Sequence, residues 1–109
     1  MSLPVQLDEG VYESKLTPLG YEQLETADIA TANSLQSIPN GAQFALIQCD
    51  EEDVRWRDDG TNPTATVGIV LPATKIIWYT GDLTKIKFIR TAANAALNIS
   101  YYKPAAVER

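Results

Sequence analysis

The 109-residue chain contains no histidine. That absence removes every Ser-His or Cys-His nucleophile pair and the commonest metal-ligating side chain. Cys49 stands alone, so no intrachain disulfide can form and a reducing compartment is the default. No apolar run reaches the roughly 18 residues that cross a bilayer, and no membrane partner is expected. The first residues show no basic segment followed by an apolar stretch, so no secretory leader is expected. Glycine-rich phosphate loops, dinucleotide fingerprints and internal repeats are also missing. No cofactor and no metal are therefore expected.

What remains is an ordinary folded composition, 45% hydrophobic and 21% charged, at the length of one domain. A chain this small buries only about two-thirds of its unfolded surface, which makes stabilisation by oligomerisation reasonable. The net charge of −5 argues against non-specific nucleic-acid binding, which needs a basic surface. The charge is unevenly spread. Residues 1–59 hold 12 acids and three bases, a net of −9, and residues 60–109 hold two acids and six bases, a net of +4. Interleaved strands would let these charges pair. Alternatively, two faces of opposite sign would favour ordered self-association.

From residue 42 onward the pattern is β. In Ala42–Asp50, Phe44 and Leu46 alternate with Ala45, Ile47 and Cys49, and both faces are apolar, as in a strand buried on two sides. The polar turn Asp50-Glu51-Glu52-Asp53 makes Val54–Arg57 its expected hairpin partner. Further strands are expected over Thr64–Leu71, Lys75–Thr80, Lys85–Thr91 and Ala95–Tyr102, separated by short turns. This spacing predicts an antiparallel sandwich rather than βαβ units. Earlier in the chain, Leu16-Thr17-Pro18-Leu19-Gly20 is loop-like and Tyr21–Ala32 is expected to be extended. Ser34–Ile38 is expected to form one more short strand. The predicted organisation is a flexible arm over residues 1–15, a single β-domain over 16–103 and a tail over 104–109.

Few residues suggest chemistry. The acidic turn 50–53, with Asp58 and Asp59, is the best cation candidate, but its spacing is not an EF-hand and no glycine permits a tight loop within it. A solvated strand end is the expected reading. Asp58 and Asp59 are neighbours, so in a strand they point to opposite faces and cannot flank a glycosidic bond. Cys49 lacks a basic partner and is expected in the core. Trp78-Tyr79 and Tyr101-Tyr102 each place one aromatic ring outward, where it can serve an oligomer contact or stack on a sugar.

The stretch from Val54 to Thr64, VRWRDDGTNPT, resembles an active site at first sight. Alternation instead places Val54 and Trp56 inward and Arg55 and Arg57 outward, where they can pair with Asp59 or with a neighbour's carboxylates. Asp58-Asp59-Gly60 supplies turn residues, with Gly60 free to take positive φ, and Pro63 keeps the loop from joining the next strand.

Taken in order, several segments resemble a family of small virion-associated structural proteins of tailed bacteriophages and prophages. They are Leu16–Leu24, Ile38-Pro39-Asn40-Gly41-Ala42, Ala45-Leu46-Ile47-Gln48, and Val54–Thr64 with Val67-Gly68. Tyr79-Thr80-Gly81-Asp82-Leu83, Lys85–Ile89 and Leu97–Tyr102 continue the series. The resemblance covers roughly residues 16–102, and Arg55-Trp56-Arg57-Asp58-Asp59-Gly60-Thr61 with Pro63-Thr64 is its most specific part. It brings no catalytic residues. It implies a non-enzymatic protein that self-associates and binds other virion proteins, resident in the virion and, during assembly, in the host cytoplasm. An N-terminal arm would suit docking on a neighbour.

These readings converge on an all-β protein: a small antiparallel β-sandwich, jelly-roll-like, with a short β-barrel as alternative and an extended N-terminal arm. The expected partners are copies of the chain, in a symmetric homo-oligomer with a trimer favoured. Arg55, Arg57, Trp78, Tyr79 and Tyr102 are the expected contact residues. Trp56, Asp58, Asp59, Gly60 and Pro63 are expected to be structural. A glycan- or receptor-binding module is the alternative function.

Overall fold

A computed structural model describes residues 15–105. Among these there is no helix. Eight strands form two four-stranded antiparallel sheets, sandwich-like, rather than one closed barrel. In chain order they are β1 (Leu16–Leu24), β2 (Asn33–Ser34), β3 (Phe44–Asp50), β4 (Val54–Arg57), β5 (Ile69–Leu71), β6 (Ile76–Tyr79), β7 (Lys87–Arg90) and β8 (Ala96–Pro104). One sheet has the order β1-β8-β3-β6, and the other β2-β7-β4-β5.

The pairs β1 with β8, β2 with β7, β3 with β6 and β4 with β5 follow one rule. The chain is a long antiparallel ribbon whose successive rungs fall alternately into the two sheets. Contacts of β8 with β3 and of β7 with β4 close each sheet.

The core lies between the sheets because alternation aims one face of each strand inward. Ala45, Ile47 and Cys49 from β3 meet Leu97, Ile99 and Tyr101 from β8, and all six are fully buried. Phe88, Val54 and Leu71 press on them from the second sheet.

Several sequence expectations are corrected. β4 is not the hairpin partner of β3. Asp50–Asp53 carries the chain across to the second sheet, with Glu51 at φ 67 and its neighbour Glu52 donating its amide to the Asp50 carbonyl at 2.8 Å. The loop-like stretch from Leu16 to Gly20 is strand. Its Pro18 is tolerated because β1 is an edge, and the register with β8 shifts between Pro18 and Gly20. Beyond Leu24 the expected extended segment bends through turns to Thr31, and β2 is only two residues long. β3 is buried on one face only, since Phe44, Leu46 and Gln48 on the other are half-buried. Pro104 belongs to β8, and the Ala105 amide donates to the Lys15 carbonyl at 2.9 Å. The arm expected over residues 1–15 otherwise falls outside the described residues, as do 106–109.

Candidate functional site

The Val54–Gly68 region is bound both within itself and to the strands beside it. Trp56 faces inward beside Phe88 and Ile69, half-buried, and meets Tyr79 edge-on with ring centroids 5.8 Å apart. The Tyr79 hydroxyl donates to Asp58 Oδ2 at 2.6 Å. Burial first, and then the bond and charge of Asp58, hold its phenol well above the usual tyrosine range. Arg57 grips Asp59 with two bonds of 3.0 and 2.5 Å, which holds the Asp59 carboxyl below its ordinary range. Asp59 also accepts the Thr61 amide, Gly60 sits at φ 91, and Pro63 is fully buried.

Arg55 has a different role from the one expected. Its Nε donates to the Ala65 carbonyl at 3.2 Å and its Nη1 to the Gly68 carbonyl at 2.7 Å. The guanidinium thus braces the turn 64–67, where the Thr64 amide donates to the Val67 carbonyl at 2.8 Å. Arg55 commits its Nε and Nη1 to loop carbonyls. An open depression lined by Arg57, Asp58, Asp59, Val67, Gly68 and Ile69 adjoins this unit, but its charged groups are already engaged with Tyr79 or with each other.

Tyr79 is also corrected as a contact residue. At 6% exposure its ring belongs to the core, and Trp78 is the outward member of that pair. Tyr101 is likewise the buried member of its pair, and Tyr102 the outward one. The Tyr101 hydroxyl donates to the buried carboxylate of Glu22, which also accepts the Gln36 and Ser37 amides. Burial and this bond push the Tyr101 phenol above its usual range. Glu22 carries no local sequence signal for this role.

Trp78 and Tyr102, expected as contacts, do come together. Their ring centroids lie 5.3 Å apart on the outer face of the first sheet. Register assembles that face in rows. One row is Pro18, Tyr102 and Phe44, and the next is Tyr21, Ser100, Leu46 and Trp78. A third is Gln23, Asn98, Gln48 and Ile76. Here Tyr21 Oη and Gln23 Nε2 donate to Asn98 Oδ1 at 2.6 and 3.0 Å, and Asn98 Nδ2 donates to Gln48 Oε1 at 2.7 Å. These three rows contain no charged side chain in a chain of net charge −5. The outward alternation of Phe44 and Leu46 was the sequence signal for this face.

Other candidates resolve into structure. Cys49 is fully buried, its Sγ donates to the Glu52 carbonyl at 2.8 Å, and burial, followed by the charges of Asp53 and Asp50, pushes its thiol up to about 11. A thiol of that kind is a poor nucleophile. Asp53 accepts the Ala73 amide at 2.8 Å and binds Thr91 through its own carbonyl. Among the described residues no three His, Cys, Asp or Glu side chains converge on a cation-sized point. The one ion pair among the described residues, Arg57 with Asp59, lies within the acidic half of the chain.

Comparison with protein-family models, with characterised proteins and with solved structures returned no match.

Proposed function

We propose that the protein is a non-enzymatic structural component of a tailed bacteriophage or prophage particle, which binds its own copies and other virion proteins. The observation that carries this reading is the strand order. A ribbon pairing β1 with β8 through β4 with β5, its rungs alternating between sheets, supports an eight-stranded jelly roll. That architecture recurs in viral capsid domains. The residues of the phage-like motif give secondary support, since Arg55, Trp56, Arg57, Asp58 and Asp59 are each occupied by internal contacts. A motif spent on internal contacts suits a scaffold more than a reaction centre. The test is detection of the chain in gradient-purified phage particles from its host. Its absence from particles that contain the other virion proteins would refute the proposal.

One observation favours a second reading, a glycan-binding module. Trp78 and Tyr102 stand beside a row of neutral amides, and sugar recognition combines aromatic stacking with uncharged hydrogen-bonding groups. Glycan-array binding that disappears in a folded Trp78→Ala protein would favour it over self-association.

A further inference from the structure

The two edges of the first sheet differ. β1 carries Pro18 and a register shift, two devices that keep an edge from pairing with another chain. β6, Ile76-Ile77-Trp78-Tyr79, has neither proline nor charge, and among the described residues no strand lies beyond it. Of the seven large apolar residues that are exposed among the described ones, five lie on β5, β6 or the turn before them: Val67, Ile69, Val70, Ile76 and Trp78. The short link from Leu71 to Ile76 keeps β5, the edge of the second sheet, on the same side.

We propose that β6 pairs antiparallel with β6 of a second copy about a two-fold axis, joining the two first sheets into one eight-stranded sheet. The inference rests on the self-associating role proposed above and names its surface. Its register follows from the backbone. The Cys49 amide donates to the Lys75 carbonyl at 3.0 Å while its carbonyl accepts the Thr74 amide, so the next residues in step, 77 and 79, direct their polar groups toward β3. The intervening residues, Ile76 and Trp78, direct theirs to the open edge. Antiparallel partners opposite each other share a face, so only residues of like facing can be matched.

Setting Ile77 opposite the partner's Ile77 matches Ile76 with the partner's Trp78, and the reverse. Every open N–H and C=O of Ile76 and Trp78 is then bonded. The outward aliphatic and aromatic side chains, 56% and 51% exposed in the single chain, stack as cross-strand pairs. A second copy fits better than a charged partner because the three adjoining rows of the outer face are uncharged, and a two-fold axis brings uncharged surface against uncharged surface.

The test uses the full chain, with its mass from analytical ultracentrifugation and amide hydrogen exchange at Ile76 and Trp78. The expected result is twice the 12.0 kDa chain mass, with both amides protected. Ile76→Pro removes an amide that does not bond to β3, so it should leave the fold intact, halve the mass and expose the Trp78 amide. Ile76→Lys should do the same through charge, and Tyr21→Lys on the β1 edge should leave the mass unchanged.

Wild-type protein of trimer mass that survives Ile76→Pro overturns the inference, as does a monomer at every concentration. Protection of the amides within a monomer would assign the edge to the chain's own N-terminal residues. Protection gained only on adding particles would assign it to another virion protein. Either outcome also overturns the proposed pairing. The functional reading is tested separately. A dimer absent from particles refutes the virion role and leaves the pairing standing, whereas a monomer found in particles does the reverse.

Discussion

Replacing Arg55 with alanine separates a structural arginine from a contact arginine. The side chain makes two charge-assisted bonds to carbonyls, at 3.2 Å to Ala65 and 2.7 Å to Gly68. A hydrogen bond to a charged group contributes about 1.5–3 kcal/mol when desolvated, and less where water competes. The Gly68 bond is part-buried and the Ala65 bond exposed, so together they supply about 2–3 kcal/mol. Freeing a long side chain returns up to about 2 kcal/mol of rotamer entropy, and losing its stem against Gly68 removes some packing.

The net cost for Arg55→Ala is about 1–2 kcal/mol, a fall in melting temperature of roughly 5–10 °C for a domain of this size. Urea unfolding followed by tryptophan fluorescence measures it, and sedimentation in parallel should show no change in mass. Arg57→Ala is the comparison, because its partner among the described residues is the exposed Asp59, and its urea midpoint should stay where it was. Unchanged stability of Arg55→Ala together with lost assembly would refute the bracing role and restore the outward contact expected from alternation alone.

Glu22→Ala should destabilise the protein by about 2–4 kcal/mol, because it leaves the buried Tyr101 hydroxyl without an acceptor and frees the Gln36 and Ser37 amides. A denaturation midpoint equal to wild type would contradict that role. Gly68→Ala should cost about 1–3 kcal/mol by thermal melting. Gly68 sits at φ 142, and a Cβ there would lie 3.2 Å from Arg55 Cβ, Pro63 Cβ and the Trp56 carbonyl. Alkaline pH should weaken the fold. Cys49, Tyr79 and Tyr101 all have folded values raised above their ordinary 9.0, 10.0 and 10.0, so their neutral forms stabilise the fold fully below those values. Stability is then lost as pH climbs past 9, where the unfolded chain releases these protons first. Melting temperatures from pH 7 to 11 check the sign, and Tyr79→Phe should flatten the descent.

What could be read in the chain divides by how local its cause is. β7 and β8 are legible because one face of each is buried, and Phe88, Leu97, Ile99 and Tyr101 therefore alternate with more exposed neighbours, most of them polar or small. The loop around Gly60 was legible for the same reason, since a turn and its Asp-Gly residues lie within a few positions of each other. β1 was hidden because Pro18 and Gly20 suit a loop, and the strand exists through pairing with β8 some 80 positions away. The link 50–53 is ambiguous in sequence because a polar turn has the same composition whether it closes a hairpin or crosses to another sheet. Alternation says that one of Trp78 and Tyr79 points outward but not which. The register with β3 decides it, setting Tyr79 opposite buried Ala45, and Asp58, distant in sequence, then receives the Tyr79 hydroxyl.

The same limit governs function in a protein of this kind. The absence of proline and charge in Ile76–Tyr79 is plain in the sequence, yet it describes a central strand as well as an unprotected edge. Only the sheet order makes β6 an edge, and only the bond from Cys49 to Lys75 shows which of its amides are open. A composition that is unremarkable inside a sheet leaves open backbone groups at its margin. Substituting Ile76 therefore tests a property of topology more than one of the residue itself.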